Sequence, residues 1–148
     1  IKKTYKNEIF MIGMMDKDQY ISLLNKCNCF VMPSRGEAFC IPALEAMVLG
    51  LPVIHTKHTG MDDFCVGESV DSLSVPCFGA MSTIYNLDTA QRDWKEINLK
   101  KLCSAMREVY LKWNSNEAIS MSSAAKNNAK KYDHKPIGQH LKGLLNDD

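Results

Sequence analysis

Two short apolar runs with one helix-length segment between them constrain this chain most. The first is "CFVMP" (29–33), rich in strand formers and stopped by Pro33; the second is "PVIHT" (52–56). Between them Ile41, Leu44, Met47 and Val48 mark one helical face. Pro42 suits the first turn, where its missing N–H costs nothing, and Gly50 with Pro52 ends the element. A strand, a helix and a strand on such tight links predict parallel strands covered by helices. "EIFMIG" (8–13) extends the pattern as a buried strand closed by Gly13, and "DSLSVPC" (71–77) as a later one. "DKDQYISLLNKC" (16–27) has helical spacing and an aspartate available as N-cap.

The second half changes character. Residues 78–97 read as irregular and polar, with "DWKEIN" (93–98) their most distinctive patch. From Asn98 to Trp113 a helical rhythm runs through Leu99, Leu102, Cys103, Met106, Val109 and Tyr110. A second helix is expected over 116–131, and a third from His134 to Leu145 with Ile137, Leu141, Leu144 and Leu145 on one side. A chain of 148 residues fits a single domain with a real core.

Composition excludes several classes. A formal net charge of +1 and no long basic run give no footing for nucleic acid. No stretch approaches the roughly 18 apolar residues of a membrane span. The six cysteines include one C-x-C (Cys27, Cys29), and His55 and His58 form one H-x-x-H. Neither has a second, well-spaced pair, so buried free thiols are expected and a metal site is not.

The chemistry concentrates in "SRGEAFCIPALEAMVLGLPVI" (34–54). Glu37 precedes the helix and Glu45 falls near its first turn. Between them the backbone N–H groups from about Ala38 to Ile41 are free, and an open helix N-terminus is an anion site. At the carboxyl end of a parallel strand, that is where ligands bind. Carboxylates repel phosphate but accept well from hydroxyls, so the residues suggest a nucleotide-sugar: diphosphate at the helix start and one glutamate toward each sugar. Glutamate early in a helix is also favoured by the macrodipole with no ligand at all.

The stretch "VMPSRGEAFCIPALEAMVLGLPVI" closely resembles the signature region of retaining glycosyltransferases of the GT-B fold, family 4. There a P-S element precedes a glutamate, seven residues, E-A-M and G-x-P-V-I, matched here by Pro33-Ser34, Glu37, Glu45-Ala46-Met47 and Gly50 to Ile54. "TGMDDF" (59–64) resembles the G-rich turn after the next strand, and "DWKE" (93–96) a tryptophan–glutamate patch. The resemblance implies a Rossmann-like parallel sheet flanked by helices, the donor-binding C-terminal half of a GT-B fold, over residues 1–148. Glu37 would contact hydroxyls of the transferred sugar and is the candidate catalytic residue; Glu45 would contact the ribose. Ser34 and Gly36 join the donor site, and the loop amides of Ala38, Phe39, Cys40 and Ile41 would hold sugar hydroxyls and the diphosphate.

Two departures stand out. Cys40 occupies a frequent glycine position, so its thiol is expected to add bulk beside the ligand. The Arg and Lys that clamp the diphosphate in the family have no counterpart beyond Lys2, Lys3 and Lys6, so the first strands of this half and the N-terminal acceptor domain are expected to be missing. The resemblance thus implies a UDP- or GDP-sugar donor, no cofactor, no metal, no nucleic-acid partner and no transmembrane segment. It further implies a cytoplasmic location, with a membrane periphery as the alternative, and a fragment inactive by itself. The His134 helix would cross back to the missing domain. The rival class is a non-catalytic GT-B-like interaction module, and a nucleotide-sugar epimerase of similar fold is a third option.

Overall fold

Local chemistry sets most element boundaries in the computed structural model, which describes residues 13–77 and 93–146. Asp16 caps α1 (Lys17–Leu24) reciprocally: its carboxylate accepts from the Gln19 N–H at 2.8 Å, and the Gln19 side chain accepts from the Asp16 N–H at 3.3 Å. β1 (Phe30–Met32) follows. α2 (Ile41–Val48) carries Pro42 in its opening turn, and just beyond its end Gly50 takes a φ of 87°. Then come β2 (Val53–Thr56), a 3-10 turn (Gly60–Asp63), β3 (Gly67–Val70), β4 (Ser72–Pro76) and β5 (Asp93–Ile97). Three helices complete the order: α3 (Leu99–Lys112), α4 (Asn116–Ala129) and α5 (His134–Asn146).

β1, β2 and β3 form a parallel sheet in that order. β2 is buried along its whole length. Val53 joins Ala43 and Met47 of α2 with Ala125 and Ala129 of α4 in one cluster. Its neighbour Ile54 packs with Val70 and Leu102 of α3 in another. Successive strand residues face opposite ways, so helices cover both faces of the sheet, as a parallel sheet requires. This is the Rossmann-like α/β arrangement expected for half of a GT-B fold.

Three expectations are corrected. The third parallel strand is Gly67–Val70, not residues 71–77: "GESV" lacks a strand-like pattern, and pairing with β2 imposes the extended state. Only glycine permits that approach, since a Cβ at Gly67 would lie 2.1 Å from the Val53 carbonyl oxygen. "SLSVP" is a strand, yet it pairs antiparallel with β5 in a separate two-stranded sheet. Residues 93–97, read as irregular, are that partner. The expected strand at 8–13 has its residues 8–12 outside the described set, as do 78–92 of the polar stretch.

The helices over 16–27, 98–113, 116–131 and 134–145 all form, with small shifts at their ends. Of the α3 rhythm, Leu102 packs inward with Ala105 and Val109, whereas Leu99, Met106 and Tyr110 stay exposed. The cysteines are free, but not uniformly buried: Cys40 and Cys77 are, Cys27, Cys29 and Cys65 are half-buried, and Cys103 is exposed. Among the described residues, no helix is long and apolar enough to cross a membrane.

Candidate functional site

The loop from Pro33 to Cys40 leaves the carboxyl end of β1 and feeds α2, and it is held residue by residue. Ser34 Oγ donates to the Gly36 carbonyl at 2.8 Å and sits 3.3 Å from the Gly36 N–H, closing a tight turn. The Arg35 carbonyl accepts from the Lys95 N–H at 2.8 Å. Arg35 Nε donates to the Glu96 carboxylate at 2.6 Å, and the guanidinium carbon lies 5.6 Å from the Trp94 ring centroid. The Glu37 carbonyl accepts from the Gly60 N–H at 2.9 Å. That approach needs glycine, because a Cβ at Gly60 would come within 1.9 Å of the Ala38 carbonyl oxygen.

The far end of the loop is anchored by apolar contacts. The Phe39 ring lies 4.7 Å from Phe64 and 5.9 Å from Tyr132, centroid to centroid, and Phe64 meets Tyr132 at 5.6 Å. Cys40 is only 2% exposed and packs with Met47, Met61 and Phe64. Burial pushes its thiol pKa up. The expectation of thiol bulk beside a ligand is therefore corrected: the side chain belongs to the core, and only the Cys40 backbone is left for the site.

The start of α2 has no side-chain cap. Asp16, Asn98 and Ser115 cap α1, α3 and α4 with side-chain oxygens. Cys40 stands at the same position of α2 and makes no such bond. Among the described residues, nothing accepts from the N–H groups of Ala38, Phe39, Cys40 or Ile41. Four donors at or just before the helix start thus have no acceptor among the described residues.

Glu45 is the fifth helical residue rather than a first-turn one, and no acidic side chain occupies the first turn of α2. At 1.5 Å per residue it sits about 6 Å along the axis from Ile41, beyond the reach of most of the macrodipole. It is exposed and borders a groove of about 270 Å³ lined also by Lys17, Tyr20, Ile21 and Val48. Burial, and then the Glu45 carboxylate that its hydroxyl meets, push the Tyr20 phenol pKa up. A larger hollow of about 610 Å³ opens between α2 and α4, lined by Leu44, Val48, Lys126, Lys130 and Tyr132, and includes neither motif glutamate.

The end of β2 meets the same loop. His58 has a φ of 66°, and the Asp62 carboxylate accepts its N–H at 2.7 Å, fixing the turn that presents Gly60. The other Asp62 oxygen lies 3.5 Å from Nδ1 of the buried His55. Arg35 and Tyr20 were not among the expected site residues, and Gly60, Trp94 and Glu96 only as parts of the quoted turn and of the "DWKE" patch. A separation of 61 positions between Arg35 and Glu96 leaves no local signal.

The fold is a Rossmann-like α/β arrangement consistent with half of a GT-B fold. The profile described as "Glycosyl transferases group 1" matches residues 1–75, just over half of the 148-residue chain, and the chain belongs to that family. It is 32% identical over 66 residues to the uncharacterized glycosyltransferase MJ1178 of Methanocaldococcus jannaschii, covering 45% of this chain and 19% of that one. It is 33% identical over 58 residues to the serotype-specific mannosyltransferase WbdA of Escherichia coli, covering 39% and 7%. The uncharacterized glycosyltransferase MJ1059 of Methanocaldococcus jannaschii aligns over 104 residues at 28% identity, covering 68% and 25%. The matched stretches thus span a quarter or less of these relatives' own lengths. No solved structure matches the chain.

Proposed function

We propose that this chain is the nucleotide-sugar donor half of a retaining, family 4 GT-B glycosyltransferase, its two motif glutamates forming the E-x7-E pair. One observation carries the reading: the uncapped start of α2, with the free amides of Ala38 to Ile41, lies between a carboxylate on the loop and another a turn inside the helix. The amides take the diphosphate. Glu37, with Ser34 and Gly36 beside it, takes hydroxyls of the transferred hexose. Glu45, about 6 Å along the helix, accepts from the ribose hydroxyls.

The chemistry is electrostatic. As the bond from the sugar's anomeric carbon to the phosphate oxygen breaks, the electron pair leaves with the diphosphate. The helix start and its amides stabilise that growing charge without reorganising. Glu37 orients the sugar and favours positive charge at the anomeric carbon. The acceptor hydroxyl oxygen bonds to the anomeric carbon with retained configuration, and its proton passes to the departing diphosphate. The step as proposed routes through no metal or cofactor. The acceptor binds a second domain of the same polypeptide, so this chain alone transfers little or no sugar. The reaction is placed in the cytoplasm or at the membrane surface facing it.

Calorimetric titration with UDP-glucose and GDP-mannose tests the reading. One of them is expected to bind, and Glu45→Ala to weaken it about 10-fold to 100-fold, the worth of a hydrogen bond to a charged group. Glu37→Gln is expected to weaken the sugar nucleotide but not the bare nucleoside diphosphate. Binding of no nucleotide-sugar, even by a longer reading frame containing this sequence, would overturn the reading in favour of a non-catalytic interaction module.

A further inference from the structure

We propose that Arg35 is a positioning residue for the Glu37 carboxylate, and that the β4–β5 hairpin sets it through Trp94, Lys95 and Glu96; this rests on the donor-site reading above. Three contacts of different kinds converge on Arg35, two positions before Glu37. Its carbonyl is held by the Lys95 N–H at 2.8 Å, its Nε by Glu96 at 2.6 Å, and its guanidinium faces the Trp94 ring at 5.6 Å. Backbone and side chain are both tied. On the other side the Gly60 N–H holds the Glu37 carbonyl at 2.9 Å.

Only Gly36 separates the two tie points. Nothing lies within 4 Å of where its Cβ would be, so packing does not demand glycine there. Glycine by itself leaves that link conformationally loose, so the direction of Glu37 depends on the Ser34 turn that holds Gly36 and on both ends being held. The hairpin can serve as the fixed end. Lys95 Nζ donates to Ser74 Oγ across the two strands at 2.7 Å, Ser72 Oγ donates to the Lys57 carbonyl at 3.0 Å, and the Asn98 N–H donates to the Asp71 carbonyl at 3.1 Å. The hairpin is thereby fastened to the end of β2, beside the turn that presents Gly60.

The ion pair itself adds little to stability, because its side chains are 48% and 44% exposed and such pairs are solvent-screened. Its consequence lies in geometry, where a displacement of about 1 Å at a reacting group costs up to about 100-fold.

The test is calorimetry on the chain, or on the longer reading frame if only that binds, with the better of UDP-glucose and GDP-mannose and with the matching UDP or GDP. Arg35→Gln and Glu96→Gln are each expected to weaken the sugar nucleotide about 10-fold while the bare diphosphate binds as before. Trp94→Phe, which keeps a ring under the guanidinium, is expected to lose less. Thermal unfolding checks that the variants are folded. A purely structural role would weaken both ligands alike, and that result overturns the proposal. So does unchanged sugar-nucleotide affinity in folded Arg35→Gln and Glu96→Gln. If the unaltered protein binds the diphosphate but gains nothing from the sugar, Glu37 has no sugar to orient, and the donor-site reading fails first.

Discussion

Gly60 shows how one missing methyl group can hold a site together. Its N–H reaches the Glu37 carbonyl only because nothing stands between its Cα and Ala38, whose carbonyl oxygen would lie 1.9 Å from an added Cβ. The obstacle is backbone, which cannot swing aside like the end of a long side chain. Gly60→Ala is therefore expected to lower the unfolding free energy by about 1–3 kcal/mol, measured by urea denaturation, and to weaken nucleotide-sugar binding as well. A neutral Gly60→Ala would mean that the loop is not seated on this turn. Cys40 makes the complementary point. A polar cap there would have accepted from the Ala43 N–H, which instead donates to the Cys40 carbonyl at 3.0 Å, while the buried thiol fills the core.

At the scale of elements, the β4–β5 hairpin and the motif loop are joined by a charge that acid can remove. The hydrogen bond from Arg35 holds the Glu96 carboxyl below its usual range, and Lys101 together with Lys57 does the same for Asp71 in the link between β3 and β4. A carboxyl whose folded pKa is depressed contributes stability above its unfolded pKa, about 4 for these residues, and loses it as pH falls through the folded value. Glu96 is thus expected to release the Arg35 guanidinium on acidification below about pH 4 and not above it, while the Lys95 N–H keeps the Arg35 carbonyl. Trp94 emission in a Trp113→Phe background, followed from pH 7 to pH 3, reports the change. An identical profile in Glu96→Gln would show that this pair is not its source.

The whole molecule distributes its six cysteines unequally, and that is measurable. Burial pushes the Cys29 thiol up to about 11 and the Cys65 thiol up to about 12, and Cys40 and Cys77 lie in the interior. Cys103 alone is exposed, on the outer side of α3. A thiol-specific disulfide reagent at pH 8 is expected to modify Cys103 quickly and Cys29, Cys40, Cys65 and Cys77 only on unfolding or slow opening, since the reagent needs access to the sulfur and the thiolate is the reacting form. Rapid modification of Cys65 in the native chain would contradict this packing.

Local pattern determined much of this architecture. Pro33, Pro42, Gly50 and Pro52 punctuate the chain where β1, α2 and β2 begin and end, and Asp16 marks the start of α1. "PVIHT" reads as a buried strand and is one, because a strand covered on both faces needs an unbroken apolar run. The two glutamates and the open amides between them were legible too, since eight residues of spacing fix which lies before a helix and which within it. Where the signal is not local, it fails. "GESV" becomes a strand because β2 pairs with it, and of the α3 rhythm only the side toward Ile54 and Val70 is buried. Cys40 is turned inward by Met47 of α2 and by Met61 and Phe64 of the turn after β2, two segments that lie apart in sequence. Which of the candidate residues are held, and by what, was decided by contacts such as Arg35 with Glu96 and Glu37 with Gly60. Periodicity and capping act over a few residues, so tertiary packing alone could bring those partners together.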